Sequence, residues 1–147
     1  MLPFFIFACV VQEDNNEISL AKQYLEEFSD FETWEQVSQW NGVQPSQAAH
    51  GTYVQIWLND VAMMSLEYGE EYRYGSAIIK EGYLDEEGTQ RKALTVMIKR
   101  KDFAPDTGDW FWAVYSDTDE VLLAGIPDYC ISCHEASSDY VLFLEDE

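Results

Sequence analysis

With 147 residues, 47% of them apolar and 15% aromatic, the chain has enough apolar mass for one folded domain and too little length for two. Its 28 acidic residues against 8 basic ones give a net charge of -20. That balance argues against nucleic acid as a partner, because little here could neutralise phosphates. The acids are dispersed, as at Glu26/Glu27, Asp85/Glu86/Glu87 and Glu145/Asp146/Glu147, in the manner of a solvated surface. The same field would suit a basic redox partner protein.

The chain opens on "MLPFFIFACVVQEDNN". Residues 2–11 are apolar but too few to span a bilayer, and no basic residue precedes them as in a complete signal peptide. Residues 1–12 are therefore expected to be a truncated export or lipoprotein signal, with residues 13–147 forming the single domain. "IFAC" resembles a small-residue-then-cysteine lipidation site, which would make Cys9 a lipid anchor; a buried free Cys9 is the alternative.

In "EISLAKQYLEEF", Ile18, Ala21, Tyr24, Leu25 and Phe28 recur at helical spacing and predict an amphipathic helix. Asp30 or Thr33 is placed to cap a second short helix through "FETWEQVSQW", after which "NGVQPSQAAHG" reads as a turn-rich connector. "TYVQIWL" alternates, with Val54, Ile56 and Leu58 on one face and Tyr53, Gln55 and Trp57 on the other. "NDVAMMSLEYG" predicts a helix, and "GSAIIKEGY" and "KALTVMIKR" two further strands. "DWFWAVYS" is apolar on both faces, which places it centrally or at an interface, and "DYVLFL" is expected to close the chain as a fifth strand. The fold class is α+β and β-dominated: an antiparallel sheet of about five strands with N-terminal and inserted helices.

The chemistry gathers near the C-terminus. "CISCH" holds Cys130, Cys133 and His134, two of the three cysteines and one of the two histidines. This spacing matches c-type haem attachment, in which both thiols add across the haem vinyl groups as thioethers and the adjacent imidazole reaches the iron. A zinc site would need a further ligand pair, and only Cys9 and His50 remain to supply one. A redox dithiol or a structural disulfide is the other alternative. A sixth iron ligand, which an electron carrier needs, would come from His50, Met63, Met64 or Met97. The methionines suit an apolar core equally well, and His50 suits a structural hydrogen bond.

The ordered segments "HGTYVQIWLND", "GSAIIKEGY", "MIKRKDFAPDTGDWFWAVY" and "CISCHEASSDYVLF" together resemble the cytochrome P460 family, over most of the chain from residue 30 to residue 144. The resemblance implies a β-rich fold that pairs as a homodimer. It further implies one covalent haem c with His134 as proximal ligand of a five-coordinate iron, and a periplasmic or otherwise exported home. P460 enzymes of this family oxidise hydroxylamine and carry a lysine bonded to a porphyrin meso carbon; the related β-type cytochromes c′ bind nitric oxide. In this sequence the lysine's pattern falls on "GSAIIKE", hence on Lys80. Alternation puts Lys80 on the face of Ser76 and Ile78, an inward place for an amine; facing solvent or pairing with Glu81 is the alternative. Two features depart from the enzyme pattern. The stretch "LLAGIPDY" before the motif offers only Asp128 as a nearby acid, and the inward face of "TYVQIWL" has no arginine to orient a polar substrate.

Overall fold

A computed structural model describes residues 15–69 and 71–142, so the proposed signal segment and Cys9 lie outside the described residues. Six strands form one antiparallel sheet in chain order: β1 (Gln44–Pro45), β2 (Tyr53–Leu58), β3 (Ala77–Tyr83), β4 (Arg91–Lys99), β5 (Trp110–Tyr115) and β6 (Val121–Gly125). Helix α1 (Asn15–Glu27) precedes the sheet, α2 (Asp60–Tyr68) joins β2 to β3, and α3 (Asp128–His134) follows β6. The α+β expectation holds. No helix among the described residues is long and apolar enough to cross a membrane.

Alternation divides the sheet into two apolar faces. Trp57, Ile79, Leu94, Val96, Ile98, Phe111 and Tyr115 pack under α1, whose Leu20, Ala21, Tyr24 and Leu25 supply the covering stripe. The Tyr115 hydroxyl donates to the Ala21 carbonyl at 2.6 Å and ties that helix down. Ile56, Leu58, Ile78, Met97, Trp110 and Trp112 face the other way, against α2, α3 and the segment after α3. Helix α2 begins where Asn59 Oδ1 accepts the Ala62 N–H, and ends at Gly69 in the left-handed conformation.

Two local expectations are corrected. "FETWEQVSQW" forms two single 3₁₀ turns, Phe31–Thr33 and Ser38–Trp40, because the chain between them is extended and the Glu35 carbonyl accepts the Leu58 N–H. The described part of "DYVLFL" is no strand. Asp139 and Tyr140 have φ of 49° and 59°, which a pleated strand cannot contain, and the sheet edges are instead β1 and β6. The central position expected for the doubly apolar strand holds: β5 lies between β4 and β6. Trp110 and Trp112 fill one face and Phe111 and Tyr115 the other, all fully buried within the single chain.

One tie fixes the segment after α3. Lys99 Nζ donates to both carboxylate oxygens of Asp139, at 2.5 and 2.6 Å, with the two side chains only 8% and 7% exposed. The same carboxylate accepts the Tyr72 N–H at 2.7 Å, and the Asp139 carbonyl accepts Trp110 Nε1–H at 2.8 Å. Removing one member of a buried pair strands the other charge. Lys99→Met should therefore cost about 3 kcal/mol or more by denaturant unfolding, and adding Asp139→Asn to that variant should restore part of the loss.

Candidate haem site

Helix α3 carries Cys130, Cys133 and His134 at spacings of three and four, which set them along one side of a helix. Cys130 packs against the Trp110/Trp112 cluster, Cys133 is exposed, and both thiols are free, so the disulfide alternative is not what the fold forms. Burial raises the Cys130 thiol pKa. His134 is 6% exposed, with its ring edge-on to Trp112 at 4.8 Å between centres. Its Nδ1 lies 2.8 Å from the Tyr140 carbonyl. A carbonyl can only accept, so Nδ1 carries the proton and Nε2 keeps the lone pair that a metal needs. Desolvation lowers the His134 pKa, which favours that neutral ring.

His134 looks into a pocket that lies between the sheet and the segment after α3. Ile56, Ile78, Met97 and Trp112 wall it from the sheet, and Val141 and Leu142 close it from the segment that Asp139 anchors. Among the described residues the polar lining consists of His50, Lys80, Thr95 and His134, with no carboxylate and no arginine.

Lys80 sits mid-strand on β3, opposite Ile56 and Thr95, and makes no hydrogen bond or ion pair among the described residues. Glu81 is not its partner. That carboxylate lies on the opposite face, accepting from the Tyr83 hydroxyl at 2.5 Å and from Arg91. Burial lowers the Lys80 pKa to about 8, so about a tenth of the amine is neutral at pH 7.

The sixth-ligand candidates separate by position. His50 and Met97 line the pocket; Met63 packs against the same apolar cluster without lining it, and Met64 is exposed. His50 Nδ1 lies 3.0 Å from Thr95 Oγ1, and burial, then the charge of Lys80, pushes its pKa down to about 3. Asp128, the acid nearest the motif, is exposed at the start of α3 and does not line the pocket.

The residues present fit a haem. Two free thiols one turn apart adjoin a buried imidazole with a free Nε2, and the walls are apolar. Trp112 Nε1 is buried without a hydrogen-bond partner. Zinc fits less well, since no group of three or more His, Cys, Asp or Glu among the described residues could hold a metal.

The family model for cytochrome P460 matches residues 28–143. The chain belongs to the cytochrome P460 family. It is accordingly a c-type haem cytochrome, and the P460 resemblance drawn from its strands and motif holds over most of its length. No curated protein matches it.

Within this P460 domain, two parts of the site had no signature as a motif. Thr95 and Trp112 reach the pocket only through the pairing of β3, β4 and β5. The placement of His50 depends on Gly82, where a Cβ would stand 1.9 Å from the His50 carbonyl. Only glycine lets the chain cross β3 there. Gly82→Ala should cost about 1–3 kcal/mol in denaturant unfolding through overpacking, or else shift the His50 backbone outward in a crystal structure.

Proposed function

We propose that this P460-family cytochrome carries one haem through thioether bonds from Cys130 and Cys133, with His134 as proximal ligand, and oxidises hydroxylamine or a related small nitrogen oxide. What supports this most is Lys80, an unpaired amine inside the pocket of the motif histidine. Cys130, Cys133 and His134 would hold the haem, which would supply a redox-active iron for electron transfer from the substrate to an external acceptor. The chain's own part is to hold, orient and shield. Ile56, Ile78, Met97 and Trp112 exclude water, while the Tyr140 carbonyl holds the imidazole of His134 in one tautomer.

Lys80 occupies the position of the lysine that P460 enzymes bond to a porphyrin meso carbon. A neutral amine in a desolvated pocket is suited to that bond. Forming it replaces one N–H and one C–H by C–N, with two electrons and two protons passing to an oxidant of the peroxide class. The distorted macrocycle would then differ electronically from an ordinary c-type haem.

A second reading is reversible binding of nitric oxide without catalysis. The mainly apolar pocket lining, which has no carboxylate or arginine among the described residues, favours it, because such walls suit small uncharged ligands. Either reading places the protein outside the bacterial cytoplasm, where haem attachment of this kind takes place. A homodimer rests on the P460 membership alone.

Lys80→Met distinguishes the two readings. Exported holoprotein of this variant should keep its thioether haem in the pyridine haemochrome spectrum, lose hydroxylamine oxidation and show an ordinary c-type spectrum. A wild type that does not oxidise hydroxylamine, with a spectrum that Lys80→Met leaves unchanged, would leave nitric oxide binding as the better account. Replacing Cys130 and Cys133 together by alanine should remove the haem from the intact mass.

A further inference from the structure

We propose that the outer edge of the sheet at β6, together with the start of α3, is the docking surface for a basic electron-acceptor protein. This rests on the haem reading above, in which electrons leave for an external acceptor, and it names where that acceptor sits.

Exposed apolar side chains gather at this edge. Leu122 and Leu123 on β6, Ile126 after it and Tyr129 on α3 are all large and exposed. Strand β6 ends the sheet, so no further strand covers it among the described residues. From there the chain runs directly into the motif helix. Tyr129 and Cys133 stand four residues apart on α3, hence on one side of it, and both are exposed. A thioether on an exposed sulfur keeps the haem edge bonded to it near the surface, where an electron can leave without crossing the core. An apolar patch of this kind, rimmed by polar groups, marks a place of protein contact.

Charge selects the partner. No lysine or arginine follows Lys101 in the sequence, whereas Asp117, Asp119, Glu120, Asp128 and Glu135 do, all of them exposed. Among the described residues only Asp119 of these five has an ion-pair partner, Arg91. Glu120 immediately precedes β6 and Asp128 opens α3, so carboxylates flank the apolar strip at both ends. Such a rim steers a basic protein inward and fixes its orientation. A second copy of this chain, with its net charge of -20, would set acid against acid across the same surface.

The test uses exported, full-chain holoprotein, reduced beforehand and mixed in stopped flow with ferric mitochondrial cytochrome c, a small basic one-electron acceptor. One electron passes per encounter, from the ferrous holoprotein to the ferric probe. Between about 20 and 200 mM salt the second-order rate constant should fall about tenfold or more. Glu120→Gln combined with Asp128→Asn should lower it about threefold or more at low salt and flatten the salt dependence. Leu122→Ser combined with Ile126→Ser should lower it at every salt concentration. The control pair, Glu32→Gln with Glu35→Gln, lies beside β2 across the sheet from β6 and should stay within about twofold of wild type. Ferricyanide, a small anion that needs no docking surface, should oxidise every variant at least as fast as wild type.

A rate that ignores salt, or equal losses in the Glu120/Asp128 and Glu32/Glu35 pairs, would overturn the docking surface alone. So would a dimer in sedimentation that Leu122→Ser with Ile126→Ser dissolves, because a second copy would then occupy this face. Thioether holoprotein that neither acceptor oxidises would overturn the electron-passing reading with it. A protein without thioether haem in the pyridine haemochrome spectrum would overturn the haem reading as well.

Discussion

The buried pair between Lys99 and Asp139 is the constraint on which the pocket depends. It joins the last residue of β4 to a single 3₁₀ turn, Ser138–Tyr140, that no strand or α-helix carries. Asp139 and the next residue, Tyr140, both sit in the left-handed region, and a bulky residue there costs about 1–3 kcal/mol. Such strain persists only where surrounding contacts over-determine it. Here they do, through two charge-assisted bonds from Lys99, one from the Tyr72 N–H and one from Trp110 Nε1 to the adjoining carbonyl. The turn so formed aims the Tyr140 carbonyl at His134 Nδ1 and lays Val141 and Leu142 over the pocket. An ion pair of this kind adds little net stability over an apolar replacement, but it specifies one geometry. The haem site needs that specificity more than it needs the stability.

The sheet separates two tasks by its pleat. One face, under α1, is a plain apolar core closed by the Tyr115 bond to Ala21. The other face keeps large aromatics toward one end, at Trp110 and Trp112, and lets Lys80 and Thr95 interrupt it at the pocket. A lysine mid-strand on a buried face would be expensive in an ordinary core. In this fold the same burial lowers the amine's pKa, and such perturbed groups gather at functional sites. The two faces also explain how four aromatics on one strand are all buried within the chain.

Much of this was legible from periodicity. Alternation was clean for β2 and β4, and the helical spacing of α1 was unbroken, so those elements and their inward residues follow from pattern alone. The motif was legible for a different reason: its chemistry is local, within one turn of helix. The misreadings share a cause. "VLLAG" sits at the sheet edge with Leu122 and Leu123 exposed, so it lacks the inward alternation that marks a strand, whereas "DYVLFL" has strand-like composition but begins at the latch of Asp139. Composition cannot register a backbone conformation imposed by a lysine 40 residues away.

His50 shows the same limit at the site itself. Nothing near it in sequence distinguishes a ligand from a turn residue, because its tether is Thr95, 45 residues on, and its clearance is the missing side chain of Gly82. His134, by contrast, is oriented from only six residues away. The pocket therefore combines a locally specified imidazole with one placed entirely by tertiary structure. The first forms with its helix and turn, while the second requires β3 and β4 already paired and the chain before β2 laid across them. That asymmetry sets the two imidazoles apart: a change in β3 or β4 would displace His50 and leave His134 where its own turn holds it.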